Sequence, residues 1–291
     1  MKRIYLVVIV LLIALIVANK FRSSATDSTI TESGATTQTK DDIWYEMPKE
    51  VTNGDTEVIT ILSEGERNYT LCYDFEQLTT LWVAYPLSGR YMGELKRPSR
   101  WYYNPLLSTS EQINLCYRSY NDDYSRGHLI PNASRNGNRE MQEQTFYVTN
   151  SVPQIQNRFN GGIWQSLENS LQIEARENDL YIVTGIAFAK GDEVCEIAYT
   201  SAKDDLRHVP VPNYFYKVAL KLHYDTTGAV SDATTIGFWF EHRTYTDTFE
   251  NYATSVDQIE EWTGLDLFHQ LPDAIETKAE TNTSWCTFSR F

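Results

Sequence analysis

Short apolar segments rich in β-branched and aromatic residues dominate this chain, whereas helical periodicity is confined to two places. Such residues favour β-strands because their stiff side chains pack well on a pleated surface. The first helical candidate, Gly162–Leu171, repeats apolar residues at i+4 spacing, and the second, Val256–Thr263, follows a serine suited to cap a helix. Strands and helices do not alternate regularly, which predicts an α+β fold around a mixed or antiparallel central sheet. The predicted strands are Glu57–Leu62, Tyr69–Tyr73, Leu81–Pro86, Leu180–Thr184, Tyr216–Tyr224 and Thr234–Glu241.

The size and charge of the chain limit its fold and its partners. With 291 residues, of which 42% are hydrophobic, the chain can bury one substantial core, so we expect one main domain. The formal net charge of −14 repels polyanions at long range. This excludes a protein that coats nucleic acid with its whole surface, and nucleic acid would have to bind at a local basic site.

The N-terminus has the pattern of an export signal. Lys2 and Arg3 precede an unbroken apolar run over residues 4–18. Such a run has the length of a signal-peptide core and is short for a membrane-spanning helix. We expect residues 1–22 to be a signal peptide or, because no clean cleavage site follows, an N-terminal membrane anchor that tethers the protein through the apolar run.

The remaining chain divides into a linker and a domain. Residues 23–54 begin with a stretch rich in Ser, Thr and Asp that contains few large apolar residues, and they are expected to form a flexible linker. Residues 55–291 are expected to form the folded domain. With the export signal, this predicts an exported domain that is periplasmic, extracellular or membrane-anchored outside the cytoplasm. The sequence leaves the oligomeric state open.

The four cysteines do not have the spacing of a zinc site. They are far apart and form no C-x-x-C pair. In an oxidising compartment they could form up to two disulfides, and the sequence does not choose among the three pairings. The equally weighted alternative is that all four are buried free thiols. The cysteines are Cys72, Cys116, Cys195 and Cys286.

Two stretches contain polar residues suited to catalysis. DDYSRGHLIPNASR contains His128, and TFYVTNSVPQIQNRFNGGIWQSLE contains Asn150, Asn160 and Glu168. Asn150 is expected to end an apolar strand-like run and to precede a proline turn. On one continuous helix, Asn160 and Glu168 would be roughly 12 Å apart along the axis and about 80° apart in rotation. Both could not bind one ion directly unless the backbone at Asn160 departs from the helix. One direct ligand and one carboxylate acting through bound water would suit Mg²⁺.

The order of these two stretches resembles the DNA/RNA non-specific endonucleases of the ββα-metal superfamily, which include secreted bacterial nucleases and mitochondrial endonuclease G. YSRGHLIPNASR is similar to the D-R-G-H motif of that family, and the second stretch is similar to its N-x-x-P-Q … F/L-N-x-G-x-W-x-x-L-E motif. The resemblance implies a ββα-metal (His-Me finger) nuclease fold and metal-dependent, sequence-independent hydrolysis of DNA and RNA phosphodiester bonds. Supporting pieces within residues 75–275 are Trp82–Leu87, Arg97–Pro105, Leu180–Gly185, Val211–Val218 and Ser255–Phe268.

The same resemblance implies roles for the site residues. His128 corresponds to the general base that deprotonates the attacking water, a role that suits an imidazole with a pKa of about 6.5. Asn160 corresponds to the direct ligand of the metal, which we expect to be Mg²⁺, with Mn²⁺ or another divalent ion as a substitute. Glu168 corresponds to the carboxylate that orients the metal-bound waters.

Three further residues are implied in the same way. Arg126 corresponds to an arginine in the family's site, and Asn150 to an asparagine that positions the histidine region or the phosphate. Another arginine precedes an aromatic turn, and Arg97 is our assignment, with Arg100 as the alternative. A guanidinium at either position could bind the phosphate through its planar fork of donors.

Two positions depart from the family pattern. Ser125 replaces the acid of D-R-G-H, and Asn104 replaces an acid before a proline. We expect tuned rather than abolished activity, because the first acid is neither the base nor the metal ligand in the family. The four other histidines lack a comparable setting and are interpreted as structural: His208, His223, His242 and His269.

A basic segment coincides with the candidate site. Seven basic residues and three acidic residues lie between Lys96 and Arg139, in a chain of net charge −14. This predicts a local cationic groove for the backbone phosphates of DNA and RNA. Two alternatives remain open, namely a binding module of the same fold that has lost turnover and a phosphodiesterase for small molecules. The basic residues are Lys96, Arg97, Arg100, Arg118, Arg126, Arg135 and Arg139.

Overall fold

The computed structural model describes residues 43–49, 54–122 and 124–290. Its centre is a seven-stranded sheet in which every neighbouring pair is antiparallel. The sheet order is β1-β2-β3-β6-β9-β10-β11. These strands are β1 (Thr56–Ser63), β2 (Glu66–Asp74), β3 (Thr79–Leu87), β6 (Leu180–Ala187), β9 (Tyr214–Tyr224), β10 (Val230–Glu241) and β11 (Ala253–Thr254).

Both faces of this sheet are covered, so its strands are apolar on both sides. In β3, Val83 and Tyr85 face one core, whereas Trp82 and Ala84 face the other. Successive side chains of a strand point to opposite faces, which explains the alternation. The antiparallel form of the predicted α+β fold is therefore confirmed, with a layer of irregular structure and helices on each side.

The first face carries a small ββα unit. Strands β4 (Tyr124–His128) and β5 (Ser151–Ile155) form an antiparallel pair in which His128 lies opposite Ser151. An irregular helical segment, Gln156–Trp164, follows and leads into helix α2, Gln165–Glu174. Phe159 and Trp164 from the segment, and Leu167 from the helix, are buried in the core beneath.

The other helices are short. Helix α3 (Val256–Thr263) packs its buried residues Val256 and Ile259 against the second face of the sheet. A small two-stranded sheet, β7 (Tyr199–Ser201) with β8 (His208–Pro210), lies outside the central sheet. The helices are α1 (Arg139–Gln144), α3 (Val256–Thr263), α4 (Asp273–Ala279) and α5 (Trp285–Phe288), and the 3₁₀ turns are Gly89–Tyr91, Thr109–Glu111, Asn132–Ser134, Val148–Asn150 and Phe249–Tyr252.

All six predicted strands are present, whereas the helix predictions need one correction. Helix α3 has the predicted bounds, and Ser255 caps it by accepting a hydrogen bond from the Gln258 amide. The predicted helix Gly162–Leu171 is wrong at its start, since Gly162 has a non-helical backbone and regular helix begins at Gln165. The i+4 apolar pattern did not indicate where the regular helix begins, because buried residues continue through the irregular segment.

The region around Asn150 also differs from expectation. The predicted strand-like run ending at Asn150 is instead a 3₁₀ turn, and the strand follows it. Pro153, expected in a turn, lies within β5. A proline is tolerated there because β5 pairs with β4 alone, so no second neighbour requires its missing N–H.

Part of the predicted linker belongs to the folded unit, which begins at Ile43. Tyr45 packs in the second core, and the buried Glu46 forms an ion pair with Arg67. The sequence of residues 43–47, IWYEM, is rich in large apolar side chains and was a usable signal for this packing. The proposed signal or anchor in residues 1–22 lies outside the described part of the chain. Within the described part, no helix is both long and apolar enough to cross a membrane.

The four cysteines are free thiols, so the structure contains no disulfide from any of the three pairings. The alternative of four buried thiols is also wrong in part. Cys72 is buried, whereas Cys286 is exposed.

Arg135 connects the ββα unit to the central sheet. Its side chain is completely buried, and it donates hydrogen bonds to the side chain and carbonyl of Asn68, to the Ser134 carbonyl and to the Pro86 carbonyl. The guanidinium also lies over the Tyr91 ring, 4.4 Å from its centroid. Burial lowers the pKa of Arg135 to about 10, so the side chain stays charged at neutral pH.

We predict that Arg135→Met lowers the free energy of unfolding by about 3 kcal/mol, because several buried acceptors lose their donor. Urea unfolding measures this loss. Arg139→Met is the matched control, since Arg139 is exposed, and its effect should stay within about 0.5 kcal/mol. Equal stability of the two variants would contradict the structural role given to Arg135.

Candidate active site

A cavity of about 390 Å³ lies over the ββα unit. It brings together five of the six site residues expected from the sequence, whereas Asn150 does not line it. Polar side chains from β4, the irregular segment and α2 line most of its surface. The lining includes Arg97, Trp101, Ser119, Ser125, Arg126, His128, Asn132, Gln156, Asn160, Gln165, Glu168, Asn169 and Gln172.

His128 lies at the end of β4, and its imidazole packs between aromatic rings. Its ring packs against Trp101 and Phe146, with centroid distances of 4.5 and 4.8 Å. Nε2 is buried and has no hydrogen-bond partner among the residues that the structure describes. Burial, followed by the positive charges of Arg97 and Arg126, holds the pKa of His128 well below its usual value of 6.5. The ring is therefore neutral at pH 7 and able to accept a proton.

The glycine before this histidine is required by packing. A Cβ atom at Gly127 would lie 2.2 Å from the Gln154 side chain, which crosses directly over it from β5. Gln154 is itself completely buried. A larger residue at position 127 would therefore have to displace the buried Gln154 side chain.

Asn160 lies in the part of the backbone that is not a regular helix. Within Gln156–Trp164, Arg158 has a left-handed backbone (φ 61°), and Gly161 and Gly162 are also non-helical. This arrangement fulfils the condition set by the spacing, namely that the backbone at Asn160 must depart from the helix. Asn160 and Glu168 can consequently line one cavity although eight residues separate them.

Ser125 orients Asn160. The Asn160 amide Nδ2 donates to Ser125 Oγ at 2.9 Å and to Gln156 Oε1 at 3.3 Å, while the Ser125 hydroxyl donates to the Gln154 carbonyl. Because its nitrogen is engaged, the amide of Asn160 leaves its oxygen available as an acceptor or metal ligand. The departure from the family pattern at Ser125 thus keeps a hydrogen-bond acceptor beside Asn160.

Glu168 shares the buried floor of the site with Lys217. Among the described residues its buried Oε1 makes no hydrogen bond of regular geometry, although an interaction with the Trp164 side chain lowers the pKa of Glu168. Burial raises the pKa of Glu168 to about 7, while the positive charge of Lys217 opposes that rise. Burial correspondingly lowers the pKa of Lys217 to about 8. Lys217 Nζ donates to Thr184 Oγ1 and lies 4.8 Å from the Trp164 ring centroid.

Two arginines reach the cavity. Arg126 donates to the Leu115 carbonyl at 2.8 Å and lies over the Trp101 ring, and Arg97 lies over the Phe146 ring. Arg97 lines the cavity and Arg100 does not, which favours the first assignment of the phosphate-binding arginine. These aromatic contacts hold both guanidiniums near His128.

The predicted cationic groove is smaller than the basic segment suggested. Of its seven basic residues, Arg97 and Arg126 line the cavity, and Arg135 is buried in the interior. Arg118 is exposed and pairs with Asp204. Sequence position alone could not separate cavity residues from a structural arginine.

Asn150 fixes the backbone that follows His128. Its side chain accepts from the Ile130 amide and donates to the carbonyls of Ile130 and Thr145, and it is completely buried. Of the two expected roles, this geometry supports positioning of the histidine region. The second departure, Asn104, is also buried, and its side chain donates to Thr149 and accepts from the Leu106 amide.

Two of the other histidines, His242 and His223, form hydrogen bonds within the fold, as expected of structural residues. His242 accepts a hydrogen bond from the Ile155 amide and contacts the Pro212 carbonyl, and burial lowers its pKa to about 4. His223 bonds to Thr234 between neighbouring strands.

Sequence reasoning missed Lys217. A lysine inside an apolar strand, YKVALKLHY, was a usable signal, because lysine is almost never fully buried unless it has a partner. The partner, Glu168, lies far away in sequence.

The donors in the cavity fit a divalent cation. Asn160 offers an amide oxygen, and Glu168 has a buried carboxylate oxygen that makes no hydrogen bond of regular geometry among the described residues. Hard cations such as Mg²⁺ prefer oxygen ligands of this kind.

Comparisons with known proteins relate the chain to nucleases. The family model described as DNA/RNA non-specific endonuclease matches residues 59–274. The mitochondrial nuclease EXOG of Danio rerio is 28% identical over 222 residues, covering 70% of this chain and 60% of that protein. Mitochondrial endonuclease G of Bos taurus is 28% identical over 165 residues, covering 54% of this chain and 53% of that protein. The chain thus spans about half to three fifths of the length of these relatives.

Two further matches have higher coverage. A nuclease of Nostoc sp. is 25% identical over 224 residues, covering 74% of this chain and 76% of that protein. The crystal structure of the EndoG/EndoGI complex matches with a TM-score of 0.59 and 19% identity, covering 79% of this chain and 91% of that chain. The resemblance seen in the motifs is confirmed by the family match, and the fold by the structural match.

We predict that Ser125→Ala lowers the affinity for Mn²⁺ or Mg²⁺ about tenfold, because the Asn160 amide loses an orienting partner. Calorimetric titration of the metal measures this change. Ser125→Asp keeps an acceptor and should retain the affinity. Ser231→Ala, on the exposed part of β10, is the control. Unchanged affinity in Ser125→Ala would contradict the orienting role, and a rise in turnover of more than about tenfold in Ser125→Asp would show that the natural serine limits catalysis.

We predict that Lys217→Met moves the acidic limb of the pH–activity profile upward by about one pH unit, because the pKa of Glu168 rises further without the nearby cation. Lys221→Met is the matched control, since Lys221 is a buried lysine of the same strand that pairs with Glu174. Both variants should lose stability, but only the first should shift the profile. An identical shift in both would attribute the effect to strand packing.

Proposed function

The chain belongs to the DNA/RNA non-specific endonuclease family, and on that premise we propose that it is a metal-dependent endonuclease that hydrolyses phosphodiester bonds in DNA and RNA without sequence preference. The observation that carries this proposal is the cavity in which His128, Asn160 and Glu168 lie together with two guanidiniums. Taken singly, each residue type is common in structural roles. Their convergence in one cavity supports a catalytic centre.

His128 acts as the general base. A ring nitrogen accepts a proton from water as the water oxygen attacks phosphorus and the bond from phosphorus to the 3′ oxygen breaks. The lowered pKa supports this role, because the imidazole is already neutral at pH 7. The lowered pKa of His128 also affects the free energy of unfolding. It stabilises the folded protein above the unfolded-state pKa of about 6.5, and this stabilisation is lost as the pH falls from 6.5 through the folded-state pKa.

Arg97 and Arg126 bind the scissile phosphate. Their guanidiniums lie beside His128, within reach of a phosphate placed in the cavity. A planar, permanently charged fork stabilises the charge that grows on phosphate oxygens in the transition state. Contacts of this type read no base sequence, which fits non-specific cleavage.

Asn160 and Glu168 hold the divalent cation. Asn160 supplies its amide oxygen directly, and Glu168 acts through water as a carboxylate. Mg²⁺ is the proposed ion, with Mn²⁺ as a substitute, and when bound it supplies positive charge near the leaving oxygen. Lys217 keeps part of the Glu168 population ionised at neutral pH.

The domain is proposed to act outside the cytoplasm. Lys2, Arg3 and the apolar run after them support export. Two of the relatives are named as mitochondrial, so an organelle is the competing destination. N-terminal sequencing of the mature protein from fractionated cells distinguishes a cleaved leader from a retained anchor.

We predict that the protein degrades both supercoiled plasmid and total RNA with Mg²⁺, and that EDTA abolishes both activities. His128→Ala should lower turnover at least about 100-fold, since general base catalysis contributes that much or more. His223→Ala is the matched control and should retain activity. Gel assays at fixed salt concentration measure each case.

The same assay separates the alternatives. Binding of DNA without cleavage at any divalent ion would replace the proposal with a binding module. Cleavage of bis(p-nitrophenyl) phosphate without cleavage of either polymer would indicate a small-molecule phosphodiesterase.

A further inference from the structure

Three carboxylates meet on the sheet face that carries helix α3. Asp257 and Glu260 lie in the first part of that helix, and Glu280 directly follows helix α4. One carboxylate oxygen from each lies within 4.8 Å of the other two. We call these three residues the acidic triad. It lies on the second core, whereas the ββα unit covers the first.

Glu280 is the unusual member of the acidic triad. It is only 4% exposed, and its Oε1 is buried without a hydrogen-bond partner. Its position is fixed, because its backbone carbonyl accepts from the Val256 amide at 3.0 Å at the start of helix α3. A carboxylate held inside the protein without a donor is costly unless a proton or a cation compensates it.

The surrounding side chains do not supply that cation. Asp266 and Glu276 add negative charge near the triad. Lys49 pairs with Asp266, and Lys278 pairs with Asp232. Within the described residues, no lysine, arginine or histidine forms an ion pair with a member of the triad.

The carboxylates of the triad are also held in position. Glu260 already uses Oε1 as an acceptor from the Leu267 amide, which holds its carboxylate in place. The triad is thus a rigid set of oxygen donors that lacks positive charge.

We propose that Asp257, Glu260 and Glu280 bind a divalent cation, with Ca²⁺ as the best match. Two oxygens bound to one Ca²⁺ lie at most about 4.8 Å apart, which is twice a Ca–O distance of about 2.4 Å. The triad meets this limit. The smaller Mg²⁺ binds oxygens at about 2.1 Å in near-ideal octahedral geometry, so two of its ligands lie at most about 4.2 Å apart, which is a stricter limit than that of Ca²⁺.

The bound ion links two helices. Asp257 and Glu260 belong to α3, whereas Glu280 ends the segment that contains α4, so one ion holds both helices together against the sheet. The site is structural and separate from the nuclease cavity. Its occupancy should raise the temperature of unfolding without being required for the chemistry.

The test uses the full chain carrying Asn160→Ala, which removes the proposed ligand of the nuclease cavity. The protein is first treated with chelator and transferred to fresh buffer. CaCl₂ is then added from about 10 μM to about 10 mM, and unfolding is followed by calorimetry. We expect the melting temperature to rise by about 4 °C when calcium reaches ten times its dissociation constant. Adding Glu280→Gln should abolish the rise.

A matched control separates the site from general charge effects. Glu261→Gln, in the same background, removes one exposed acid of the same helix without altering the triad, and it should leave the calcium-induced rise intact. Equal loss of the rise in both variants would overturn the proposal.

Direct binding covers the case in which Glu280→Gln does not fold. Equilibrium dialysis with radioactive calcium should find one ion per chain in the Asn160→Ala protein, and the exposed substitution Asp257→Asn should lower the affinity at least about tenfold. If 10 mM calcium, far above the affinity of most protein sites, neither binds nor shifts melting, the triad is a group of proton-sharing carboxyls and the proposal is wrong.

Discussion

The position of the site depends on a buried cation that forms no ion pair with a carboxylate of the described residues. Arg135 follows β4 along the chain, whereas its acceptors, Asn68 and Pro86, belong to the first strands of the sheet. A guanidinium in the interior is tolerated only when its donors are satisfied. Backbone carbonyls and aromatic rings meet that requirement here. The turn after His128 is consequently fixed on the sheet by a group that cannot move without exposing several polar atoms.

The second constraint is the interrupted backbone before helix α2. A regular helix through Asn160 would have turned its side chain away from Glu168. The left-handed Arg158 and the two glycines after Asn160 break that geometry, while Phe159 and Trp164 remain in the core. Packing of the aromatic residues thus offsets the strain of an irregular backbone, and the Asn160 side chain lines the cavity.

The sequence predicted the strands more reliably than the cavity. Runs such as those of β9 and β10 are long and apolar, so local composition sufficed to identify them. The start of α2 was not predictable from the i+4 pattern, because buried apolar residues continue through a segment that is not helical. Motif order identified His128, Asn160 and Glu168, and the structure brings them together. Lys217 was missed because its electrostatic interaction with Glu168 exists only after the sheet has formed.

The burial of Arg135 also changes the electrostatic field that a polyanion meets. The chain carries a net charge of −14, yet two guanidiniums provide the positive lining of the cavity within the described residues. The nucleic-acid substrate proposed above would therefore approach through a repulsive field before it reaches a short attractive one. Salt screens the long-range repulsion at concentrations that would still leave close phosphate contacts intact, and weakens such contacts only at higher concentration. The proposed function accordingly implies that encounter with a polyanion is favoured at an intermediate ionic strength.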